Sequence, residues 1–426
     1  METLNVLKIV VIIVSIILAI IIIKKKQKVK VFLSILTIID IIILFELCCG
    51  TIFEKPEIIL KGEENLTIEV NTEYNDLGAI AKHHNRDISN KIIIENNVNS
   101  KVIGTYEVNF EVKVFFTEIS KKRFIKVVDT TKPSLELKGN RDVKIYEGTE
   151  FVEDGYVAID NYDGDITDKV IVEKEPISDT QFKMNYKISD SSNNEEVLYR
   201  VVEIIPIEKP EDINKNGVIY FTFDDGPSVD ITPHILDILK EEDVKATFFV
   251  INFEGPEKED LIRRIVSEGH TIAIHGYSHE YKTIYANDEA FMNNVKSLEE
   301  KIFGITGVDT KIIRFPGGSS NTVSKKYSEK IMSRLTQRVI SEGYKYYDWN
   351  VTSGDSGDVK TSKAVYKNVT NRISKNRPNI VLMHDFSGNN KTLDCLRDII
   401  HYAKENEYTF EPINENTPVV IHKVNN

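Results

Sequence analysis

Two adjacent carboxylates, Asp224 and Asp225, begin the run Asp224-Asp225-Gly226-Pro227 directly after the apolar stretch Val218 to Phe223. Neighbouring carboxylates repel unless a cation or an arginine takes up their charge. They can then divide the work, one ligating a metal and the other accepting a proton. An Asp-Gly turn with helix-capping residues accounts for the same letters. His275 and His279 stand four apart in His275-Gly276-Tyr277-Ser278-His279, a spacing that brings both imidazoles to one ion when it lies on a helical turn. Two His and one Asp make a three-ligand set with open positions, suited to zinc or iron. Arg314, in Arg314-Phe315-Pro316-Gly317-Gly318-Ser319, is a permanent cation able to pair with the remaining carboxylate. The glycines after it let backbone N–H groups approach a ligand closely. Read alone, Arg314 is equally an ordinary surface salt bridge. The segment Asp348 to Asp355 holds the only tryptophan, Trp349, and His384 follows the apolar run Asn379 to Met383, where an acid or base can act. Singly, Trp349 reads as core and His384 as a cap or core residue.

Such residues need a frame that gathers them. From Val218 onward, short apolar runs (Val218 to Phe223, Ala246 to Val250, Asn379 to Met383) alternate with helical patterns (Thr232 to Glu242, Asp260 to Ser267, Thr361 to Ser374). That alternation predicts an α/β domain over 218–426 with a parallel sheet, open or closed as a barrel, and a site at the C-terminal strand ends.

In order, Asp-Asp-Gly-Pro, His-x-x-x-His, Arg-x-Pro-Gly, Trp-x5-Asp and Leu-x-His resemble the five motifs of the polysaccharide deacetylase family, the NodB-like carbohydrate esterases. The resemblance covers about residues 218–405. It implies a distorted (β/α) barrel holding a divalent metal, most often Zn2+, that removes acetyl groups from N-acetylated sugars. Carried over, it makes Asp225, His275 and His279 the metal ligands and Asp224 the general base, oriented by Arg314. His384 becomes the general acid, tuned by Asp355. The Gly317 amide becomes an oxyanion donor, and Trp349 and Pro316 become substrate contacts. Three positions depart from the family pattern. Gly276 replaces a common Ser or Thr and removes a hydroxyl that steadies a ligand. Gly317 stands where Tyr is frequent, though only the backbone amide is needed there. Ser356 replaces a common Trp, which reshapes the groove.

Upstream, Lys55-Pro56-Glu57-Ile58-Ile59-Leu60-Lys61-Gly62 returns 77 residues later as Lys132-Pro133-Ser134-Leu135-Glu136-Leu137-Lys138-Gly139, so one unit is duplicated. Period-two runs such as Thr67-Ile68-Glu69-Val70, with Gly, Asn and Asp clusters between them, predict two small β-sandwiches at 54–130 and 131–206. They resemble bacterial Ig-like modules, expected here to act as spacers. The acidic run Asp160 to Asp165 lacks the closing Glu of a calcium loop and reads as a solvated turn. Residues 207–217 read as a linker.

The first 53 residues predict a membrane anchor. Two apolar runs, 6–23 and 31–53, flank five lysines (Lys24, Lys25, Lys26, Lys28, Lys30), which the positive-inside rule keeps cytoplasmic. A hairpin with both ends outside places the rest of the chain beyond the membrane, although Asp40 opposes insertion of the second run by about 2.5–3.5 kcal/mol; a single span is the alternative. The chain has 54 Lys and Arg against 66 Asp and Glu, a net charge of −12, which argues against a general nucleic-acid binder. Three cysteines, two of them adjacent, give the bulk of the chain no disulfide framework. The expectation is a multidomain protein: transmembrane hairpin, two Ig-like repeats and a metal-dependent deacetylase of cell-wall glycan, with peptidoglycan N-acetylglucosamine as substrate and reduced lysozyme cleavage as consequence. N-acetylmuramic acid, an exopolysaccharide or chitin oligomers are alternative substrates, and a non-catalytic wall-binding protein is the rival of another class.

Overall fold

The computed structural model describes residues 13–17, 29–52, 55–207, 216–357 and 359–425. Of the expected first membrane run, only 13–17 are described, as helix, and most of the expected linker lies outside the described residues. A helix spans Val29–Ile52, with Asp40 inside it. Among the described residues no helix is long and apolar enough to cross a membrane. The described residues fall into two compact units, one within Met1–Lys132 with Asp160–Gly164 and Ser191–Asn194, the other comprising Pro133–Ile159, Asp165–Asp190 and Glu195–Asn426.

Both repeats are Ig-like sheet domains. In the first, Asn65–Glu69, Thr117–Val128, Gly104–Val114 and Ile93–Asn96 form a four-stranded sheet, and Glu57–Leu60, Ala79–His83 and Arg86–Asp87 a three-stranded one. Alternate residues of the long strands, Val108, Phe110, Val112, Ile125 and Val127, are buried between them, as period-two patterning requires. The second repeat builds the same four-stranded sheet from Asp142–Tyr146, Glu195–Ile205, Gln181–Ser189 and Ile171–Ser178. The acidic run is not a solvated turn at its start: Asp160 is buried, and its Oδ1 accepts the N–H groups of Tyr162 and Asp163, both at 2.8 Å.

The remaining chain forms one parallel sheet. Its strands are β1 (Val218–Asp224), β2 (Thr247–Ile251), β3 (Thr271–Gly276), β4 (Ile312–Ile313), β5 (Lys345–Tyr346), β6 (Val351–Thr352), β7 (Asn379–His384) and β8 (Thr409–Phe410). The order is β5-β4-β3-β2-β1-β7-β6, with β8 beside the start of β1. No pairing joins β5 to β6 among the described residues, so the sheet curls as an open half-barrel, the open one of the two forms expected and a distorted version of the (β/α) barrel. Helices α1 (Thr232–Glu241), α2 (Pro256–Ser267), α3 (Asp288–Thr306), α4 (Ile331–Ser341), α5 (Ser362–Thr370) and α6 (Asn390–Glu405) connect the strands. Each helix presents an apolar stripe, such as Ile235, Leu236 and Leu239 of α1, to Phe221, Phe223, Phe248 and Val250. The opposite sheet face holds Tyr220, Phe249, Ala273 and Ile380, covered by the C-terminal segment through Ile413. Both faces of β1 are therefore covered and all seven of its residues are buried, which explains its unbroken apolar run.

The second repeat is not a free spacer. Tyr146, at the end of its strand, lies in the same hydrophobic core as β1 and α4, with its ring 5.6 Å from that of Tyr346. Gln337 of α4, itself buried, accepts the Val152 N–H at 3.1 Å and donates to the Val152 carbonyl at 2.6 Å.

Candidate active site

Parallel register delivers the site. Asp224 ends β1 and His384 ends β7, and the two are direct partners across the sheet. His275 lies near the end of β3, Arg314 directly follows β4, and Asp355 follows β6. Asp225 turns out of β1 with a left-handed φ of +71°, a conformation that costs a non-glycine residue about 1–3 kcal/mol and recurs where a side chain must be aimed. It is aimed at the histidines. Asp225 Oδ1 lies 3.5 Å from His275 Nε2 and 3.6 Å from His279 Nε2, and one ligand atom from each of the three residues falls within 4.8 Å of the others.

The histidines do not share a helical turn, as their spacing suggested. His275 is in a strand and His279 in the loop that follows; convergence comes from the reversal of the chain after β3. His275 Nδ1 bonds the Arg314 carbonyl at 2.8 Å, an arrangement in which Nδ1 carries the proton and Nε2 keeps a lone pair. Burial, then the neighbouring His275, lowers the pKa of His279, favouring the neutral form that ligates. Asp225 Oδ1 is buried with no hydrogen-bond partner. An orphaned carboxylate oxygen facing two imidazole nitrogens fits a divalent cation.

Asp224 is paired elsewhere. Arg314 Nη1 donates to Asp224 Oδ1 at 2.8 Å and to Thr222 Oγ1 at 2.7 Å, while its Nε and Nη2 donate to the carbonyls of Tyr347 and Asp348 at 2.9 and 3.1 Å. The guanidinium also stacks 4.1 Å from the Phe249 ring. Four of its five N–H groups are thus directed, and Asp224 Oδ2 remains turned towards His275, 3.9 Å from Nε2. His384 Nδ1 bonds Asp355 Oδ1 at 2.8 Å. Asp355 is held in turn by the His384 N–H, Asn389, Thr392 and Ser353. Burial alone would lower the pKa of His384, but the hydrogen bond and charge of Asp355, with Asp224 and Asp225 behind it, outweigh burial and raise it. Against its own burial, Asp355 is held well below the usual carboxylate range by His384.

The polysaccharide deacetylase family model matches residues 212–335, and the model for the bacterial surface protein Ig-like domain matches 58–127 and 135–204. The chain is 31% identical over 209 residues to putative polysaccharide deacetylase YheN of Bacillus subtilis, covering 48% of this chain and 70% of that protein. It is 32% identical over 203 residues to a peptidoglycan-N-acetylglucosamine deacetylase of Bacillus cereus, covering 46% and 70%. The chain belongs to the polysaccharide deacetylase family. Members of that family are hydrolases acting on amide bonds. Among solved structures, the catalytic domain of a peptidoglycan N-acetylglucosamine deacetylase from Eubacterium rectale shares 40% identity, covering 50% of this chain and 96% of that one, with a TM-score of 0.48.

In this deacetylase the loop after Arg314 presents Gly317, not Pro316. Pro316 is buried and its carbonyl accepts from the Tyr285 hydroxyl at 2.8 Å, so it shapes the loop from within. Gly317 is exposed, and its N–H bonds no protein acceptor among the described residues. Trp349 is half-buried, its ring 5.8 Å from the Arg314 guanidinium and close against Gly318.

Two residues of the deacetylase site were missed in the sequence. Asn294 of α3 accepts the Ser278 N–H at 2.6 Å and donates to the Ser278 carbonyl at 3.2 Å. A Cβ at Gly276 would lie 2.5 Å from its Nδ2. The absent Ser or Thr hydroxyl is thus matched by an amide arriving from another element. Asp385 is fully buried beneath the Asp224-Asp225-Gly226 turn, and any Cβ at Gly226 would run into its carboxylate. Burial, with the charges of Asp225 and Asp224, pushes the Asp385 carboxyl up to about 7, while Thr232 donates to it at 2.6 Å. An Asp directly after His384 was the only available signal.

Proposed function

We propose that this chain is a metal-dependent N-deacetylase of cell-wall glycan, acting on N-acetylglucosamine of peptidoglycan. The observation that carries the reading is one constellation: Asp225, His275 and His279 converge on one point, with an arginine-held Asp224 beside it and a carboxylate-held His384 across the strand register. Asp225, His275 and His279 would hold the cation, zinc by the N/O donor set. When bound, it supplies Lewis-acid polarisation of a carbonyl and a lowered pKa for water.

The chain's own groups account for the proton traffic. Asp224, oriented by Arg314, takes the proton from the attacking water through Oδ2. Charge developing on the acyl oxygen is met by the unused N–H of Gly317; loss of one such donor costs about 2.7–4 kcal/mol. His384, whose pKa is raised by Asp355, gives its Nε2 proton to the departing amine, while Asp355 fixes the ring. Trp349 borders the acyl pocket.

Similarity to a peptidoglycan-N-acetylglucosamine deacetylase supports peptidoglycan as substrate, and the Ig-like repeats suit a surface protein. Exposed amines would reduce lysozyme cleavage. An extracytoplasmic position, with the N-terminal segment as membrane anchor, is supported by the apolar runs around the lysine cluster and by exposed Ile38, Ile41, Leu44 and Phe45 on the Val29–Ile52 helix. Fractionation of cells expressing the full chain tests this: recovery in the soluble cytoplasm would overturn it.

The function is tested by acetate release from peptidoglycan and from chitin oligomers by the purified full chain. Release that chelator stops and zinc restores is expected, with mass spectrometry locating the free amine on glucosamine. Amines on muramic acid would reassign the sugar. Binding to wall without acetate release under any divalent metal would overturn the enzymatic reading.

A further inference from the structure

Gly317 has a left-handed φ of +77°, and the space its side chain would fill is taken. A Cβ there would collide with the hydroxyl oxygen of Tyr281 and come within 3.3 Å of its Cζ. Tyr281 starts the single turn Tyr281–Ile284 after the His279 loop. Its ring lies 5.6 Å from His279, edge-on, and 5.3 Å from Tyr285. Tyr285 is tied to the Gly317 loop through the Pro316 carbonyl, so the aromatic pair and the loop hold each other in place.

The Tyr281 hydroxyl bonds no protein group among the described residues, and the side chain is half-buried, with its ring against His279. A phenol hydroxyl is a hydrogen-bond donor. Two unused donors, the Gly317 N–H and the Tyr281 O–H, therefore stand next to each other beside the Asp225-His275-His279 cluster. A phenol left without a partner next to an ion site is a group awaiting a ligand oxygen.

We propose that Tyr281 contacts substrate, its hydroxyl donating to an oxygen of the bound N-acetyl sugar alongside the Gly317 amide, in a seat that exists because residue 317 has no side chain. The inference rests on the deacetylase reading above. It makes Gly317 doubly specific: any larger residue evicts the hydroxyl even if the backbone keeps its course.

Tyr281→Phe removes only the hydroxyl and keeps both ring contacts. Expected is a fall in kcat/KM of about tenfold or more for acetate release, with melting temperature and zinc affinity by calorimetry unchanged. Gly317→Ala should cost at least as much, and the double variant no more than Gly317→Ala alone, because both changes remove one contact. Unchanged kcat/KM in Tyr281→Phe, additive losses in the double variant, or a loss matched by weakened zinc binding would each overturn the proposal. Absence of acetate release by the wild-type chain would instead overturn the deacetylase reading, so the two failures are distinguishable.

Discussion

Two buried arginines, Arg314 under the site and Arg200 in the second repeat, show one physical problem solved for different ends. Each guanidinium is almost fully enclosed, and each is matched by backbone carbonyls and one carboxylate. Arg200 donates to the carbonyls of Lys138, Asn140 and Gly155, to the Tyr186 hydroxyl and to Glu153 at 3.1 Å. Its counterpart 77 residues earlier, Arg123, repeats the scheme with Lys61, Glu63, Gly78 and Asp76. In the repeats the arginine gathers loop carbonyls, and its carboxylate completes the charge balance. At the site the balance is tilted the other way: carbonyls hold Arg314 so that Arg314 can hold Asp224, whose second oxygen stays available. A buried guanidinium–carboxylate pair is therefore not a catalytic sign. The free oxygen facing an ion site is.

Replacing Asp224 with Asn should test that distinction most severely. Acetate release is expected to fall by about 10²–10⁴-fold with the fold intact by circular dichroism; retained activity would show that the free oxygen is idle. Arg200→Met should act on stability alone, lowering it by about 3–5 kcal/mol because Glu153 and the loop carbonyls lose their partner. Denaturant melts would read this, and activity per folded molecule should stay constant. If it falls as well, the repeat contributes to catalysis and the comparison fails.

A third test uses pH. In the proposed role of acid His384 must be protonated, so activity is expected to fall as pH rises through its raised pKa. Asp355→Asn removes the partner that raises it, and the descending limb of the pH–rate profile should move to lower pH. An unmoved limb would assign it to another group. Smallest is Gln337→Ala, which leaves the Val152 N–H and carbonyl without their partner at a cost of about 1–3 kcal/mol. Read by thermal melting of the full chain, it measures how firmly the second repeat sits on α4; no change in melting would mean that the Tyr146 contact and the Lys144 N–H bond to Ser341 Oγ, at 2.8 Å, hold it.

Much of the site was legible because its residues lie in short runs at the ends of apolar strands. Asp224-Asp225, His275, Arg314 and His384 each terminate or directly follow a segment whose apolar run marks it as a strand, and parallel pairing brings such ends together. The duplication was legible for the same reason, since a repeated loop motif reports a repeated unit. Less could be read of how the ends are supported. The spacing of His275 and His279 suggested a helical turn, yet a strand and a loop deliver them. Pro316 looked available and is buried.

The amino-acid order by itself determined the donor types and the strand ends that carry them, because both are properties of local runs. Only the tertiary structure decided that the sheet stays open, that the second repeat shares the core through Tyr146, and that Asn294 and Tyr281 occupy the space left by Gly276 and Gly317. Those outcomes depend on which distant side chain reaches a given volume first. Close packing enforces that condition in three dimensions, and no stretch of neighbouring residues records it.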